Sequence, residues 1–169
     1  NAVKARTIAP HPNVPNNKIL KTVKKIKGLA HRLELIKTLR LKNKNQISFY
    51  DDSASTNPST TAAAIKSFKE PIILIMGGKD KLVSFEPLIE SIKGAENLKM
   101  IILLGENKDK ILAALNEAQI INPELKIAKV ENLRSAINMA HIEAKKYLNV
   151  SIFKCLNILL SPASASFDM

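Results

Sequence analysis

The sequence predicts an α/β fold: an open, mostly parallel Rossmann-like sheet with helices on both faces. Three observations predict it. Short apolar runs recur between residues 47 and 160, stretches with apolar residues at helical spacing separate them, and unusual polar loops follow most of the runs. Strands that are apolar on both faces, each followed by a one-sided helix, are what a parallel sheet covered on both sides requires. With 169 residues, the chain is long enough for one such domain.

The opening part of the chain predicts a helix and a hairpin. Three closely spaced prolines exclude a helix across residues 1–16. From about Asn17 to Lys27 apolar residues recur at helical spacing, and Gly28 supplies a stop, so we predict a short amphipathic helix with a lysine-covered outer face. The segment HRLELIKTLRLKNKNQISFY then predicts a β-hairpin around a polar tip at Lys42–Gln46.

Strands and helices alternate regularly after the hairpin. The predicted strands are ISFY (47–50), IILIM (72–76), MIILL (100–104), KIAKV (126–130) and CLNILL (155–160). The four helices predicted between them have their apolar faces at Thr61–Phe68, Phe85–Ile92, Ile111–Leu115 and Leu133–Leu148. The pattern contains no internal repeat.

The polar loops follow the carboxyl ends of the predicted strands. They are DDSASTNP (51–58), GGKDK (77–81), GENKDK (105–110) and SPASASFD (161–168). Right-handed crossovers bring such loops to one edge of a parallel sheet, and that edge is where open α/β sheets bind ligands. We therefore predict a binding site built from these four loops.

The first of these loops predicts an anion site at the start of a helix. Asn57 is a natural N-cap with Pro58 at the first helical position, so the free N–H groups and the positive end of the helix dipole face the loop. Thr56 can donate a hydroxyl hydrogen bond to an anion held there. Asp52 suits sugar hydroxyls or an ammonium group, or else satisfies the polar backbone of the turn.

The second and fourth loops add a cation and a hydroxyl. GGKDK is not a phosphate loop, because the sequence nowhere contains GxxxxGK followed by Ser or Thr. Gly77 and Gly78 permit close backbone approach, and Lys81 can bring a charge to a carboxylate or simply be solvated. In SPASAS, Ser166 and nearby N–H groups can face a ligand, or the segment is a tight packed turn.

The net charge of +11 belongs to the opening segment. Residues 1–46 contain twelve Lys or Arg residues and one acidic residue, Glu34, whereas basic and acidic side chains balance in the remainder. Such a segment fits a solvated lysine-rich surface, an anionic small ligand, or nucleic acid held through its phosphates. The sequence has no aromatic-rich stacking strip, so a basic nucleic-acid-binding module is the less favoured alternative.

Several other kinds of site are disfavoured. The single Cys155 excludes an internal disulfide and suits a reducing, cytoplasmic setting. No stretch approaches the roughly 18 consecutive apolar residues of a membrane span. Three scattered histidines predict no metal site, and no Ser-His-Asp arrangement can be assigned. His141 is expected to be a packed side chain of the longest helix.

Four motifs stand in order along almost the whole chain. They are GLAHRLE (28–34), DDSASTNPSTTAAAIKSF (51–68), GGKDK (77–81) and LLSPASASFD (159–168). Together they resemble the C-terminal part of the Mur ligase family. The forms DSxxTNP and SPAxASFD favour the branch of that family that adds D-glutamate to UDP-N-acetylmuramoyl-L-alanine.

The resemblance implies an ATP-dependent amide ligase of peptidoglycan synthesis. ATP would phosphorylate the carboxylate of the UDP-linked precursor, and the amine of D-glutamate would attack the acyl phosphate. The D-glutamate carboxylates would be held by Thr56, Lys81 and Ser166. The nucleotide would be contacted by Arg32 and Asp52, around the ribose, and by Asn1, near the adenine. The chain itself would present the amino acid and supply no catalytic residue.

The resemblance also implies a domain division. Residues 1–34 would be the tail of a central ATPase domain with its linker, and residues 35–169 an amino-acid-binding domain truncated at its C-terminal end. ATP, Mg²⁺ and the UDP-linked precursor would be held by other domains, so we expect this chain alone to hold no cofactor and to be inactive. We expect a cytoplasmic monomer.

Two departures from the family pattern leave a further alternative open. Ala54 stands where the family usually has a lysine, and Leu82 stands where a glycine is common. A divergent, non-catalytic interaction domain is therefore the remaining alternative.

Overall fold

The computed structural model describes most of the chain. The described residues are 28–80, 83–120 and 124–165, with Pro15, Asn17, Lys18, Lys21 and Asn122. The chain divides into two compact units, Asn1–Ala30 and His31–Met169, and the second unit contains the sheet and its helices. The helix predicted from about Asn17 to Lys27 lies mainly outside the described residues. The assignment of residues 1–34 and 35–169 to two domains of a larger enzyme stays a prediction.

In the part of the chain that the structure describes, six strands form one sheet. They are β1 (Glu34–Arg40), β2 (Gln46–Asp51), β3 (Ile72–Met76), β4 (Leu98–Leu103), β5 (Lys126–Lys129) and β6 (Cys155–Leu160). Their order across the sheet is β1-β2-β6-β3-β4-β5. The edge pair β1–β2 is antiparallel, and every other neighbouring pair is parallel. The predicted mostly parallel α/β sheet and its leading hairpin are confirmed.

Among the described residues, four helices cover the two faces of the sheet. They are α1 (Pro58–Ile65), α2 (Glu86–Lys93), α3 (Lys108–Glu117) and α4 (Leu133–Val150). The apolar faces of α1, α2 and α3 pack in one core with alternate residues of the central strands, including Leu74 and Ile101. Helix α4 lies on the opposite face, where Ala136, Ala140 and Ala144 pack in a second core. The prediction of helices on both faces is confirmed.

The central strand β3 shows why the apolar runs are continuous. All five residues of Ile72–Met76 are buried, because neighbouring strands flank β3 and helices cover both of its faces. Close packing also explains the alanines on the buried face of α4. Small side chains at this spacing let a helix approach a sheet closely, and Ala136, Ala140 and Ala144 are each 0% exposed.

The strand order creates a switch point beside β6. After β2 the chain crosses over the position of β6 to form β3, and then moves outward through β4 to β5. Helix α4 returns the chain along the opposite face, and β6 fills the gap between β2 and β3. The carboxyl ends of β2, β6 and β3 therefore lie side by side, which is where an open α/β sheet binds ligands.

His141 and Cys155 are both partly buried. The His141 ring lies 6.3 Å from the Phe49 ring, centroid to centroid, and its pKa is lowered by burial and by the nearby Lys145. Burial raises the pKa of the Cys155 thiol, and Glu70 adds to that effect. A thiol with a raised pKa is a poor nucleophile at neutral pH. None of the described helices has the length and apolar character needed to cross a bilayer.

Candidate functional site

Four loops meet at the carboxyl ends of the strands and form what we call the rim: residues 52–57, 77–80, 104–107 and 161–165. Backbone hydrogen bonds join them. Ala163 N–H donates to the Ser55 carbonyl at 3.0 Å, and Gly77 N–H donates to the Pro162 carbonyl at 2.9 Å. Asn107 N–H donates to the Gly78 carbonyl in a neighbouring loop. The prediction that these loops share one edge of the sheet is confirmed.

Asp52 lies at the centre of a buried polar network. The residue is 2% exposed. Its Oδ1 accepts a hydrogen bond from the Leu33 N–H at 3.2 Å, and its Oδ2 accepts one from Ser161 Oγ at 2.7 Å. The Ser161 hydroxyl also lies 2.9 Å from Thr61 Oγ1 on α1. Asp52 thus joins the turn before β1 to the loop after β6, and its predicted contact with a ribose stays a prediction.

The turn before β1 carries Arg32 beside an ion pair. Arg32 is exposed. The preceding His31 places Nδ1 at 2.8 Å from Asp51 Oδ2, and this hydrogen bond raises the pKa of the imidazole. Burial alone would raise the pKa of Asp51, but the hydrogen bonds from His31 and Ser53 outweigh burial and lower it. The end of β2 is therefore acidic, and the turn facing it is basic.

Thr56 stands immediately before α1, as predicted. Asn57 has an extended backbone and its side chain accepts a hydrogen bond from the Thr60 N–H at 3.0 Å, which confirms the predicted N-cap. Pro58 is the first helical residue. Thr56 is exposed, and its hydroxyl has no hydrogen-bond partner among the described residues. A hydroxyl donor therefore lies at the positive end of a helix dipole, on the rim.

Asn107 connects two rim loops and was not anticipated from the sequence. Its Oδ1 accepts from the Gly78 N–H at 2.9 Å, and its Nδ2 donates to Ser164 Oγ at 2.7 Å. Asn107 stands at the N-cap position of α3 but makes no side-chain capping bond. An asparagine before a helix usually predicts a local cap, so the long-range role left no signal in the sequence.

We expect the Asn107→Ala variant to lower the free energy of unfolding by about 2 kcal/mol. The change removes three side-chain hydrogen bonds, to Gly78, Ser164 and the Lys79 carbonyl, and leaves the buried Gly78 N–H without its acceptor. Urea denaturation monitored by circular dichroism measures the effect. Asn116→Ala, at an exposed position of α3, is the matched control and should leave the unfolding midpoint unchanged. Equal midpoints for the two variants would contradict the connecting role of Asn107.

Three predicted site residues lie outside the described residues: Lys81, Ser166 and Asn1. Their roles stay predictions. The described residues do bring the two loops that lead to Lys81 and Ser166 into direct contact. Lys79 and Ala165 form an antiparallel bridge, in which the Lys79 N–H donates to the Ala165 carbonyl at 3.0 Å.

A cavity of about 790 Å³ lies at the opposite edge of the sheet, near the amino ends of β4, β5 and β6. Its lining includes Tyr147, Ile152 and Phe153, together with the Lys126–Glu143 ion pair. None of the predicted site residues lines it. The exposed Thr56 hydroxyl and the N-terminus of α1 are at the rim, so the rim is the better candidate site.

Comparison with known proteins gives a consistent family assignment. The family model described as "Mur ligase, glutamate ligase domain" matches residues 31–151. A UDP-N-acetylmuramoylalanine--D-glutamate ligase of Clostridium botulinum (strain Loch Maree / Type A3) is 37% identical over 143 residues, which are 84% of this chain and 28% of that protein. The Caldicellulosiruptor saccharolyticus ligase of the same name is 38% identical over 151 residues, 89% of this chain and 29% of that protein. The chain thus spans less than a third of the length of these relatives.

Solved structures share the fold at low sequence identity. The UDP-N-acetylmuramate-alanine ligase of Thermotoga maritima matches with a TM-score of 0.56 and 9% identity, over 96% of this chain and 33% of that one. The folylpolyglutamate synthase of Mycobacterium tuberculosis, complexed with ADP, matches with a TM-score of 0.59 and 11% identity, over 90% of this chain and 34% of that one. These two matches establish the architecture of the domain.

Proposed function

This chain belongs to the Mur ligase family, through the glutamate ligase domain of that family, and from that premise we propose that it presents D-glutamate in an ATP-dependent ligase of peptidoglycan synthesis. The reaction would join D-glutamate to UDP-N-acetylmuramoyl-L-alanine. The names of the relatives from Clostridium botulinum and Caldicellulosiruptor saccharolyticus support this choice of substrates.

The observation that carries the proposal is the rim itself. Loops separated by up to about a hundred positions in the chain are hydrogen-bonded to one another, and three of the four loops contain family-like motifs: 52–57, 77–80 and 161–165. Their groups are suited to an anion: the Thr56 hydroxyl and the N-terminus of α1 both lie on the rim. A small dicarboxylate is the ligand whose charges this set would compensate.

Thr56, Lys81 and Ser166 are the residues proposed to hold the two carboxylates of D-glutamate. Thr56 and Ser166 would donate hydroxyl hydrogen bonds, and Lys81 would supply a compact positive charge. The direct bridge between Lys79 and Ala165 supports this assignment, because it joins the loops from which Lys81 and Ser166 follow. Holding both carboxylates would leave the amine of D-glutamate exposed for reaction.

Arg32, Asp52 and Asn1 are proposed to contact the nucleotide. Arg32 is exposed in the turn before β1 and is able to reach a ligand there. Asp52 also accepts hydrogen bonds from Leu33 and Ser161, so besides its proposed contact it would hold that turn in place. We propose that other domains of the enzyme hold the Mg²⁺ ion and the phosphates of ATP, because this sequence lacks a GxxxxGK phosphate loop.

The chemical contribution of this domain would be orientation. ATP would supply the phosphoryl group that activates the carboxylate of the precursor, with release of ADP. Attack by the D-glutamate amine on that acyl phosphate would then form the amide and release inorganic phosphate. If a rigid rim holds both carboxylates of D-glutamate, the amine stays in a defined position, and its reaction with the acyl phosphate becomes effectively unimolecular. Rigid placement follows from the buried Asp52 and Asn107 contacts, which join the loops of the rim to one another.

The experiment that tests this function uses the longer protein that contains this chain. We expect ADP release that depends on both D-glutamate and UDP-N-acetylmuramoyl-L-alanine, with L-glutamate as the inactive comparison. In the Lys81→Ala variant the KM for D-glutamate should rise by about 10- to 100-fold, because a charge-assisted hydrogen bond contributes roughly 1.5–3 kcal/mol. The KM for ATP should stay unchanged.

Lys93→Ala is the matched control for this experiment. Lys93 lies in the last turn of α2, away from the rim, where it pairs with Glu90. The variant should behave as the parent does. An unchanged KM for D-glutamate in Lys81→Ala would overturn the role of Lys81, and absence of D-glutamate-dependent turnover in the parent would overturn the proposed function.

A further inference from the structure

Three side chains that can ligate a metal ion meet at one end of the β1–β2 hairpin: His31, Glu34 and Asp51. Each offers one ligand atom, and these atoms all lie within 4.8 Å of one another. Glu34 and Asp51 are direct partners across the antiparallel pair of strands. Like charges directly opposite each other destabilise a sheet, so a cation held between these carboxylates would be stabilising.

The backbone fixes the positions of His31 and Glu34. His31 and Leu33 both have left-handed backbone conformations, with φ of 59° and 47°. This turn lets the His31 N–H donate to Glu34 Oε2 at 2.8 Å. The same turn is tied to the body of the domain, because the Leu33 N–H donates to the buried Asp52. The two ligands are therefore set by the fold.

Asp51 is fixed from the other side of the cluster. The Ser53 N–H donates to its Oδ1 at 2.8 Å, while its Oδ2 lies 2.8 Å from His31 Nδ1. Two ligand atoms around a tetrahedral zinc ion are separated by about 3.3 Å. A small rotation of the exposed His31 ring would open that space for an ion.

We propose that His31, Glu34 and Asp51 bind a divalent transition-metal ion of the Zn²⁺ class. One imidazole nitrogen with two carboxylates suits Zn²⁺ better than Mg²⁺ or Ca²⁺, which prefer oxygen ligands alone. Water would complete the coordination, since the side chain of His31 is 64% exposed, and any proton on the ligating nitrogen passes to the buffer. The bound ion would hold the turn before β1 against the end of β2. This site does not depend on the proposed ligase activity.

The test is a calorimetric titration of the 169-residue chain with ZnCl₂, in a His11→Gln, Cys155→Ser background that removes two other candidate zinc ligands. We expect one ion per chain. Glu34→Gln and Asp51→Asn should each weaken binding at least about tenfold, and His31→Ala more strongly. His141→Ala, at the other described histidine, is the matched control and should bind as the background does.

Proton NMR of the same titration identifies the ligand directly. The ring protons of His31, assigned by their absence in His31→Ala, should shift on addition of zinc, and those of His141 should not. Since His31 and Glu34 lie at the surface, circular dichroism should show native spectra for the variants. The proposal is overturned if His31→Ala binds zinc as tightly as the background, or if no saturable binding occurs below about 1 mM.

Discussion

Gly77→Ala is expected to lower the free energy of unfolding by about 4 kcal/mol, the largest effect that we predict for a single substitution. Gly77 has φ +122°, and a Cβ at this position would lie 1.9 Å from the Leu104 carbonyl oxygen. Left-handed strain of about 1–3 kcal/mol adds to a similar overpacking cost. Leu104 belongs to the neighbouring rim loop and its backbone is bonded to Met76, so it cannot move aside freely.

Urea denaturation of Gly77→Ala against Gly94→Ala checks this expectation. Gly94 follows α2 with φ −90°, and a Cβ there would meet nothing within 4 Å. The control should therefore match the parent or exceed it slightly, because alanine restricts the unfolded chain. If Gly77→Ala unfolds at the same urea concentration as Gly94→Ala, the loops that follow β3 and β4 do not approach each other as closely as described.

Asp52→Ala is expected to lower the free energy of unfolding by about 3 kcal/mol, without any nucleotide present. The substitution removes the acceptor of the Leu33 N–H and of the Ser161 hydroxyl. Hydrogen bonds to a charged group contribute roughly 1.5–3 kcal/mol, and the buried donors left behind add their desolvation cost. The turn that carries Arg32 should loosen at the same time.

Two comparison variants separate this structural role from a role in ligand binding. Asp52→Asn keeps the size of the side chain and one acceptor oxygen, so its loss should be about half as large. Glu131→Gln changes a carboxylate that is 84% exposed and should leave the midpoint unchanged. Thermal unfolding of the ligand-free chain measures all three. A parent-like midpoint for Asp52→Ala would mean that the carboxylate serves a ligand and not the fold.

The outcome for Asp52 shows how far a local pattern identifies a site. From the sequence, this aspartate after a strand suits either a sugar hydroxyl or the turn itself. The structure buries it and gives it partners at Leu33 and Ser161, the latter 109 positions away. A short sequence window contains no information about such a distant donor, so the two alternatives stay equivalent until the chain is folded.

Asn107 and the cluster of His31, Glu34 and Asp51 show the converse case, in which the fold creates contacts that the sequence pattern does not predict. Asn107 precedes a helix and so predicts a local cap, yet its amide bonds Gly78 and Ser164 on two other loops. The sequence predicts no metal site, because the histidines are scattered along the chain. The antiparallel register brings His31, Glu34 and Asp51 together, and that register is a property of strand pairing.

Sequence patterns alone were enough to predict the strands, the four helices that cover the sheet, the Asn57 cap and the common edge of the polar loops. These follow from short-range rules, namely apolar periodicity, cap and proline preferences, and the fixed handedness of parallel crossovers. Three features are visible only in the folded chain: β6 lies between β2 and β3, Asp52 and Asn107 are buried connectors, and a histidine faces two carboxylates. The physical reason is that burial and strand pairing depend on contacts between residues distant in the chain.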